Sequence, residues 1–78
     1  MSKIIEILQE IRPEFDFTKS EDFIGDGYLD SFDLISAVSS VEQEYGIKIR
    51  GTDIIPDNFR NLDAMKSLLQ GYGVKDEI

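Results

Sequence analysis

Hydrophobic residues recur with helical spacing close to the N-terminus of the chain. Ile4, Leu8 and Ile11 fall at positions i, i+4 and i+7, which predicts an amphipathic helix over residues 3–11. Ser2 is suited to cap the start of this helix, and Pro13 stops it.

A second helix is predicted from about Ser31 to Tyr45. Asp30 is a good N-cap, and Asp33, in the first turn, complements the helix dipole. Gly46 is a natural stop after the last turn. One face of this helix carries the apolar stripe Leu34, Val38, Val41 and Tyr45.

The segment between these helices, residues 13–30, has no helical period and is predicted to be a long loop. Loops of this length in small domains are usually functional or pinned to the core. It contains Phe15, Phe17, Phe23 and Ile24, and its aromatic residues are the predicted pins.

The C-terminal third begins with 47-IKI-49, whose alternation directs two isoleucines to one side. A short turn or helix follows over residues 53–59, with Ile54, Ile55 and Phe59 as anchors. Asn61 caps a last helix that ends near Gly71. The apolar positions of that helix are Leu62, Met65, Leu68 and Leu69.

Together these elements predict an all-α fold in one domain over residues 1–78: a small four-helix bundle with a long first loop and a short third helix. No apolar run approaches the ~20 residues of a membrane span, and no signal peptide is visible. The core is predicted to contain Ile4, Leu8, Ile11, Phe23, Leu34, Val38, Val41, Ile47, Ile49, Phe59, Leu62, Met65 and Leu69.

The net charge of −8 is concentrated in the middle of the chain. Between Pro13 and Ile47 there are nine acidic residues and one basic residue, Lys19, whereas acids and bases balance elsewhere. This excess favours either a solvated surface or a face that attracts basic partners. Nucleic acid is an unsuitable partner, because its phosphates need a basic patch.

The chain has no cysteine and no histidine. Nucleophilic Ser–His and Cys–His pairs are therefore impossible, and no disulfide or cysteine-ligated metal site is available. Each acid is explained by solvation as readily as by acid–base chemistry, so no catalytic residue is predicted. The lack of cysteine is compatible with a soluble protein of the cytoplasm.

The loop 22-DFIGDGYLDSFD-33 offers a rival, calcium-binding interpretation. Counted from Asp22, carboxylates fall at positions 1, 5, 9 and 12 of the calcium loop pattern, with Gly27 at position 6. The run 22–34 also resembles the calcium loop of a dockerin module. Against this, position 3 is an isoleucine, no entering helix precedes the loop, and there is no second loop.

Ser31, in 30-DSF-32, resembles the attachment serine of the acyl carrier protein family. In that family an Asp-Ser pair, followed by an apolar residue, opens the second helix. The run 22-DFIGDGYLDSF-32 is particularly similar to the D-alanyl carrier branch. The resemblance continues through 43-QEYGIKI-49 to 61-NLDAMKSLL-69, and so covers nearly the whole chain.

The resemblance implies that Ser31 carries 4'-phosphopantetheine, transferred from coenzyme A by a phosphopantetheinyl transferase, with Asp30 in support. The arm would hold an acyl or aminoacyl cargo as a thioester. Implied partners are that transferase, a cargo-activating ligase and downstream transferases with basic surfaces, all meeting a monomeric carrier. A carrier-like fold that binds partners but is never modified remains a further alternative.

A helical wheel places Phe32, Ser36, Ser39 and Gln43 opposite the apolar stripe of the second helix, with acids beside them. This face is mostly neutral, whereas fatty-acid-type carriers tend to place acids or methionine there. Arg50 also stands where many carriers have proline. The predicted partner contacts are Phe32, Asp33, Ser36, Ser39, Glu42 and Gln43.

Overall fold

A computed structural model describes residues 2–75 and 78, so that residues 1, 76 and 77 of the predicted domain lie outside the described part. Within it the fold is all-helical, as predicted, with a Cα radius of gyration of 11.3 Å. The described residues form four α-helices and two 3-10 turns, and the turns lie at Phe17–Lys19 and Gly51–Asp53. The helices are α1 (Lys3–Ile11), α2 (Ser31–Tyr45), α3 (Pro56–Phe59) and α4 (Leu62–Gly71).

The helix ends follow the capping residues that the sequence indicates. The side chains of Ser2, Asp30 and Asn61 each accept a hydrogen bond from a first-turn N–H of the helix that follows. Gly46 ends α2 in the left-handed region at φ 65°, where a residue without a Cβ is favoured. The predicted starts of α1, α2 and α4 are therefore confirmed.

The core lies between α1, α2 and α4, with α3 packed against α4. Most predicted core residues are buried, but Ile11, Ile47 and Leu62 are only partly buried at its edge. Ile55 was expected to be an anchor, and this is wrong because 43% of it is exposed. The buried core also includes hydrophobic residues outside the predicted set: Ile5, Ile7, Phe17, Leu29, Ala37 and Ile78.

The long first loop is pinned by aromatic residues, as predicted. Phe17 and Phe23 are each 1% exposed, and their rings meet edge to face at 5.2 Å. Backbone hydrogen bonds from Tyr28 and Leu29 to the Phe23 carbonyl fold the second half of the loop back on itself. The loop therefore reaches Asp30 along a fixed path, which sets the position of the start of α2.

The segment between α2 and the second 3-10 turn has no regular secondary structure but is held by hydrogen bonds to side chains. The Ile49 N–H donates to the Glu42 carboxylate at 2.8 Å, and the Arg50 N–H donates to the Tyr72 hydroxyl at 2.9 Å. The Arg50 guanidinium also lies 5.7 Å from the centre of the Tyr72 ring. Ile49 is thereby held in the core, as predicted.

No helix in the part of the chain that the structure describes has both the length and the apolar character needed to cross a membrane.

Candidate functional site

Ser31 is the first residue of α2 and is exposed to solvent. No described residue forms a hydrogen bond with the Ser31 hydroxyl. The long first loop holds the chain before Ser31 in place, and Ser31 begins the 15-residue helix α2. A helix start carries a partial positive charge and N–H groups that favour a negatively charged substituent. Ser31 is thus accessible, while the backbone on both sides of it is held in place.

A reciprocal capping box fixes the first turn of α2 around Ser31. The Asp30 carboxylate accepts a hydrogen bond from the Asp33 N–H at 2.9 Å, and the Asp33 carboxylate accepts one from the Asp30 N–H at 3.1 Å. Each bond satisfies a backbone donor that the helix itself leaves unpaired. Asp30 is therefore the N-cap of α2, as predicted, whereas its support of a modification at Ser31 stays a prediction.

One guanidinium, that of Arg12, binds both carboxylates of the capping box. Its Nε donates to Asp33 at 2.9 Å, and a terminal nitrogen lies 3.4 Å from Asp30. The other terminal nitrogen lies 3.5 Å from Glu14. Sequence reasoning gave Arg12 no role, because its partners lie 18 and 21 residues further along the chain.

These contacts shift the acid–base equilibria near Ser31. The pKa of Asp30 is lowered, mainly because its carboxylate accepts the hydrogen bond from the Asp33 N–H, and also because Arg12 is close. The pKa of Arg12 is raised above its ordinary value by the hydrogen bond to Asp33 and by the charge of Asp33. The ionised forms of Asp30 and Arg12 therefore stabilise the start of the helix.

An exposed apolar pair lies on α2 directly after Ser31. Phe32 is 79% exposed, as the helical wheel predicts, and Ile35 is 68% exposed. Residues three apart on a helix are neighbours on its surface, so the two side chains form one patch. Ile35 is absent from the predicted contacts, although it falls only about 60° from Phe32 around the helix axis at 3.6 residues per turn.

The other predicted partner contacts divide into two groups. Ser39 and Gln43 are exposed and Ser36 is half-buried, so these three remain on the outward face with Phe32. Asp33 is 6% exposed and directed at Arg12, so its prediction as a surface contact is wrong. Glu42 is partly buried, and its carboxylate accepts a hydrogen bond from the Ile49 N–H, so this side chain has a structural role.

The four carboxylates of the rival calcium loop all have partners within the fold. Asp22 accepts the Gly25 N–H at 2.9 Å, and Asp26 accepts the Ser20 hydroxyl at 2.7 Å. Asp30 and Asp33 form the capping box. Across residues 2–75 and 78, no three Asp, Glu, His or Cys side chains are grouped so that they could hold a metal ion.

A surface cleft of about 390 Å³ lies in another part of the molecule. It is lined by Ser20 and Glu21 from the long loop and by Asn61, Leu62 and Asp63 from the start of α4. Ser31 is not among these residues. Since Ser20 and Asn61 already hydrogen-bond within the fold, the cleft adds no group that is set up for chemistry at Ser31.

Comparison of the chain with protein-family models, with curated proteins and with solved structures finds no match. The case for a function therefore rests on the residues around Ser31.

Proposed function

We propose that the chain is a non-catalytic carrier that holds an acyl or aminoacyl cargo as a thioester on 4'-phosphopantetheine attached to Ser31. The observation that carries the proposal is the position of this serine. Ser31 is exposed, has no hydrogen-bond partner among the described residues, and opens a long helix whose first turn is fixed by a capping box. The run 22-DFIGDGYLDSF-32 resembles acyl carrier proteins, most of all the D-alanyl branch. This resemblance is the reason for proposing 4'-phosphopantetheine as the modification.

The attachment reaction needs an accessible hydroxyl more than a built pocket. The Ser31 oxygen would form a bond to the phosphorus of coenzyme A that bears the pantetheine arm. The bond between the two phosphates would break, and adenosine 3',5'-bisphosphate would leave. The hydroxyl proton would pass to a base of the transferase. The attached arm supplies the thiol that a chain without cysteine lacks.

The surroundings of Ser31 suit a phosphodiester. The positive end of the α2 dipole stabilises a negative charge at the first residue of the helix. Arg12 partly offsets the charge of Asp30 and Asp33, which would otherwise oppose a further anion. This chain's own part in the reaction is thus to present Ser31 at a fixed position and in a tolerable electrostatic field.

Partner enzymes are proposed to dock on the outward face of α2. Phe32 and Ile35 provide an apolar contact beside Ser31, and exposed aromatic side chains of this kind often carry much of the energy of an interface. The acidic excess of residues 13–47 favours partners with basic surfaces, namely a transferase, a cargo-activating ligase and an acceptor enzyme. Under this proposal the chain works as a monomer in the cytoplasm.

Intact-mass analysis tests the proposal directly. The protein is incubated with coenzyme A and a broad-range phosphopantetheinyl transferase, beside a carrier protein known to be loaded. Wild type and Ser39→Ala should each gain one phosphopantetheine unit, whereas Ser31→Ala should gain none. Ser39 is the matched control, because it is an exposed serine of the same helix. An unmodified wild type under conditions that load the known carrier would refute the proposal.

A further inference from the structure

Arg12 occupies the junction between the end of α1 and the start of α2. It is the C-cap residue of α1, and its backbone N–H donates to the Leu8 carbonyl at 2.9 Å. Its side chain crosses to α2 and reaches the two carboxylates that flank Ser31 in the sequence, those of Asp30 and Asp33. The Arg12 side chain therefore links the end of α1 to both carboxylates of the capping box.

Each of the two carboxylates contacts both the backbone and Arg12. Asp30 accepts the Asp33 N–H with Oδ1 and faces Arg12 with Oδ2. Asp33 uses Oδ2 for both the Asp30 N–H and the Arg12 Nε. Two carboxylates this close repel each other unless a cation lies between them. In the described part of the chain, the ion pairs of Asp30 and Asp33 are both with Arg12.

We propose that Arg12 is a positioning residue for Ser31, which holds the first turn of α2 in the geometry that a transferase requires and offsets the charge around the attachment site. This inference rests on the proposed function for its effect on loading. The statement that Arg12 orders the first turn of α2 does not depend on the proposed function and can be tested separately. A planar guanidinium binds two carboxylates in a fixed fork, which a lysine ammonium does not reproduce.

The kinetic test compares Arg12→Gln and Arg12→Lys with the matched control Arg60→Gln. Arg60 is a suitable control because it also pairs with an acid, Asp57, at 3.2 Å on the surface, and its loss changes the net charge equally. Arg12→Gln should lower kcat for loading about ten- to hundredfold, since misplacing a reacting group by about 1 Å has effects of this size. Its KM should change little, because Phe32 and Ile35 remain exposed.

Arg12→Lys should lie between wild type and Arg12→Gln, because it keeps the charge and loses the fork. Arg60→Gln should match wild type. Loading of Arg12→Gln at the rate of Arg60→Gln, or an effect confined to KM, would overturn the positioning role. All rates are measured at a temperature where circular dichroism shows each variant folded, and Arg12→Lys serves as the test variant where Arg12→Gln does not fold.

Amide hydrogen exchange tests the same role without any transferase. The Asp33 N–H, which donates to Asp30, should exchange about tenfold faster in Arg12→Gln, in keeping with local opening of one turn. Exchange at α4 should not change, and Arg60→Gln should leave the first turn of α2 protected. If wild type is never loaded, the proposed function fails. Amide exchange still shows in that case whether Arg12 orders the first turn of α2. Unchanged exchange at Asp33 would refute the positioning role even if wild type is loaded.

Discussion

The ring of Phe15 lies almost parallel to the ring of Tyr28, with centroids 4.4 Å apart and an interplanar angle of 8°. Both rings also meet Phe17 edge to face, at 6.5 Å and 5.5 Å. Phe17 in turn contacts Phe23 in the core. The first loop is therefore closed by a continuous aromatic cluster whose outer layer is the Phe15–Tyr28 pair.

A double-mutant cycle should detect this closure. Phe15→Leu and Tyr28→Leu should show a coupling of about 0.5–1.5 kcal/mol in the free energy of unfolding, which is the usual range for an aromatic pair. Urea denaturation of the two single variants, the double variant and wild type provides the four values. Phe32→Leu combined with Tyr28→Leu is the control and should be additive within ~0.5 kcal/mol. Additive effects for Phe15 and Tyr28 would show that the stack contributes nothing.

Phe32 and Phe17 should respond in opposite ways to truncation. Phe17→Ala should lower the free energy of unfolding by ~3–5 kcal/mol, because it removes a ring that is fully buried. Phe32→Ala should change it by no more than ~0.5 kcal/mol, as for other exposed positions. In a loading assay, however, Phe32→Ala should raise KM for the transferase. A large loss of stability in Phe32→Ala would mean that Phe32 is core and that the docking face lies elsewhere.

Acid should weaken the start of α2 through Asp30. Because the folded-state pKa of Asp30 is lowered, its stabilising contribution is fully present above the ordinary aspartate pKa of about 4 and is lost as the pH falls below that value. Asp16 adds to the same trend, since hydrogen bonds from Thr18 lower its pKa. Thermal unfolding from pH 7 to pH 2.5 should show this loss. Asparagine at position 30 can still cap the helix but does not titrate, so Asp30→Asn should lose less stability than wild type as the pH falls. If the melting temperatures of the two proteins fell equally with pH, the acid sensitivity could not be assigned to Asp30.

Salt and calcium should have distinguishable effects. Acids that outnumber bases nine to one over residues 13–47 repel one another, so added salt should raise the melting temperature by screening. Divalent ions should stabilise the fold weakly and without selectivity. Titration calorimetry checks this with wild type, Asp26→Ala and the control Glu10→Ala. A single saturable, calcium-selective site that Asp26→Ala abolishes and Glu10→Ala retains would support the calcium loop instead of the carrier.

Local signals in the sequence were sufficient for the helices. Ser2, Asp30 and Asn61 precede apolar residues at helical spacing, and each caps the helix predicted for it. Gly46 likewise ends α2. Capping and periodicity act over a few residues, so a linear reading captures them.

Contacts between distant segments explain what was predicted wrongly at the site. Asp33 looks like an exposed first-turn acid in the sequence, yet Arg12, 21 residues earlier, draws it inward. Nothing in the local pattern marks that pair. Ile35 is a different case, because the helical wheel already places it near Phe32, yet the predicted contacts omit it.

The non-helical segment at Ile47–Arg50 has a consequence for behaviour at high concentration. An exposed extended stretch rich in β-branched residues can template strand pairing with another chain through its free N–H groups. Here Glu42 and Tyr72 already accept the N–H groups of Ile49 and Arg50, and the Ile47 N–H donates to the Glu42 carbonyl. The N–H groups of Ile47, Ile49 and Arg50 are therefore not free to pair with a strand of another chain.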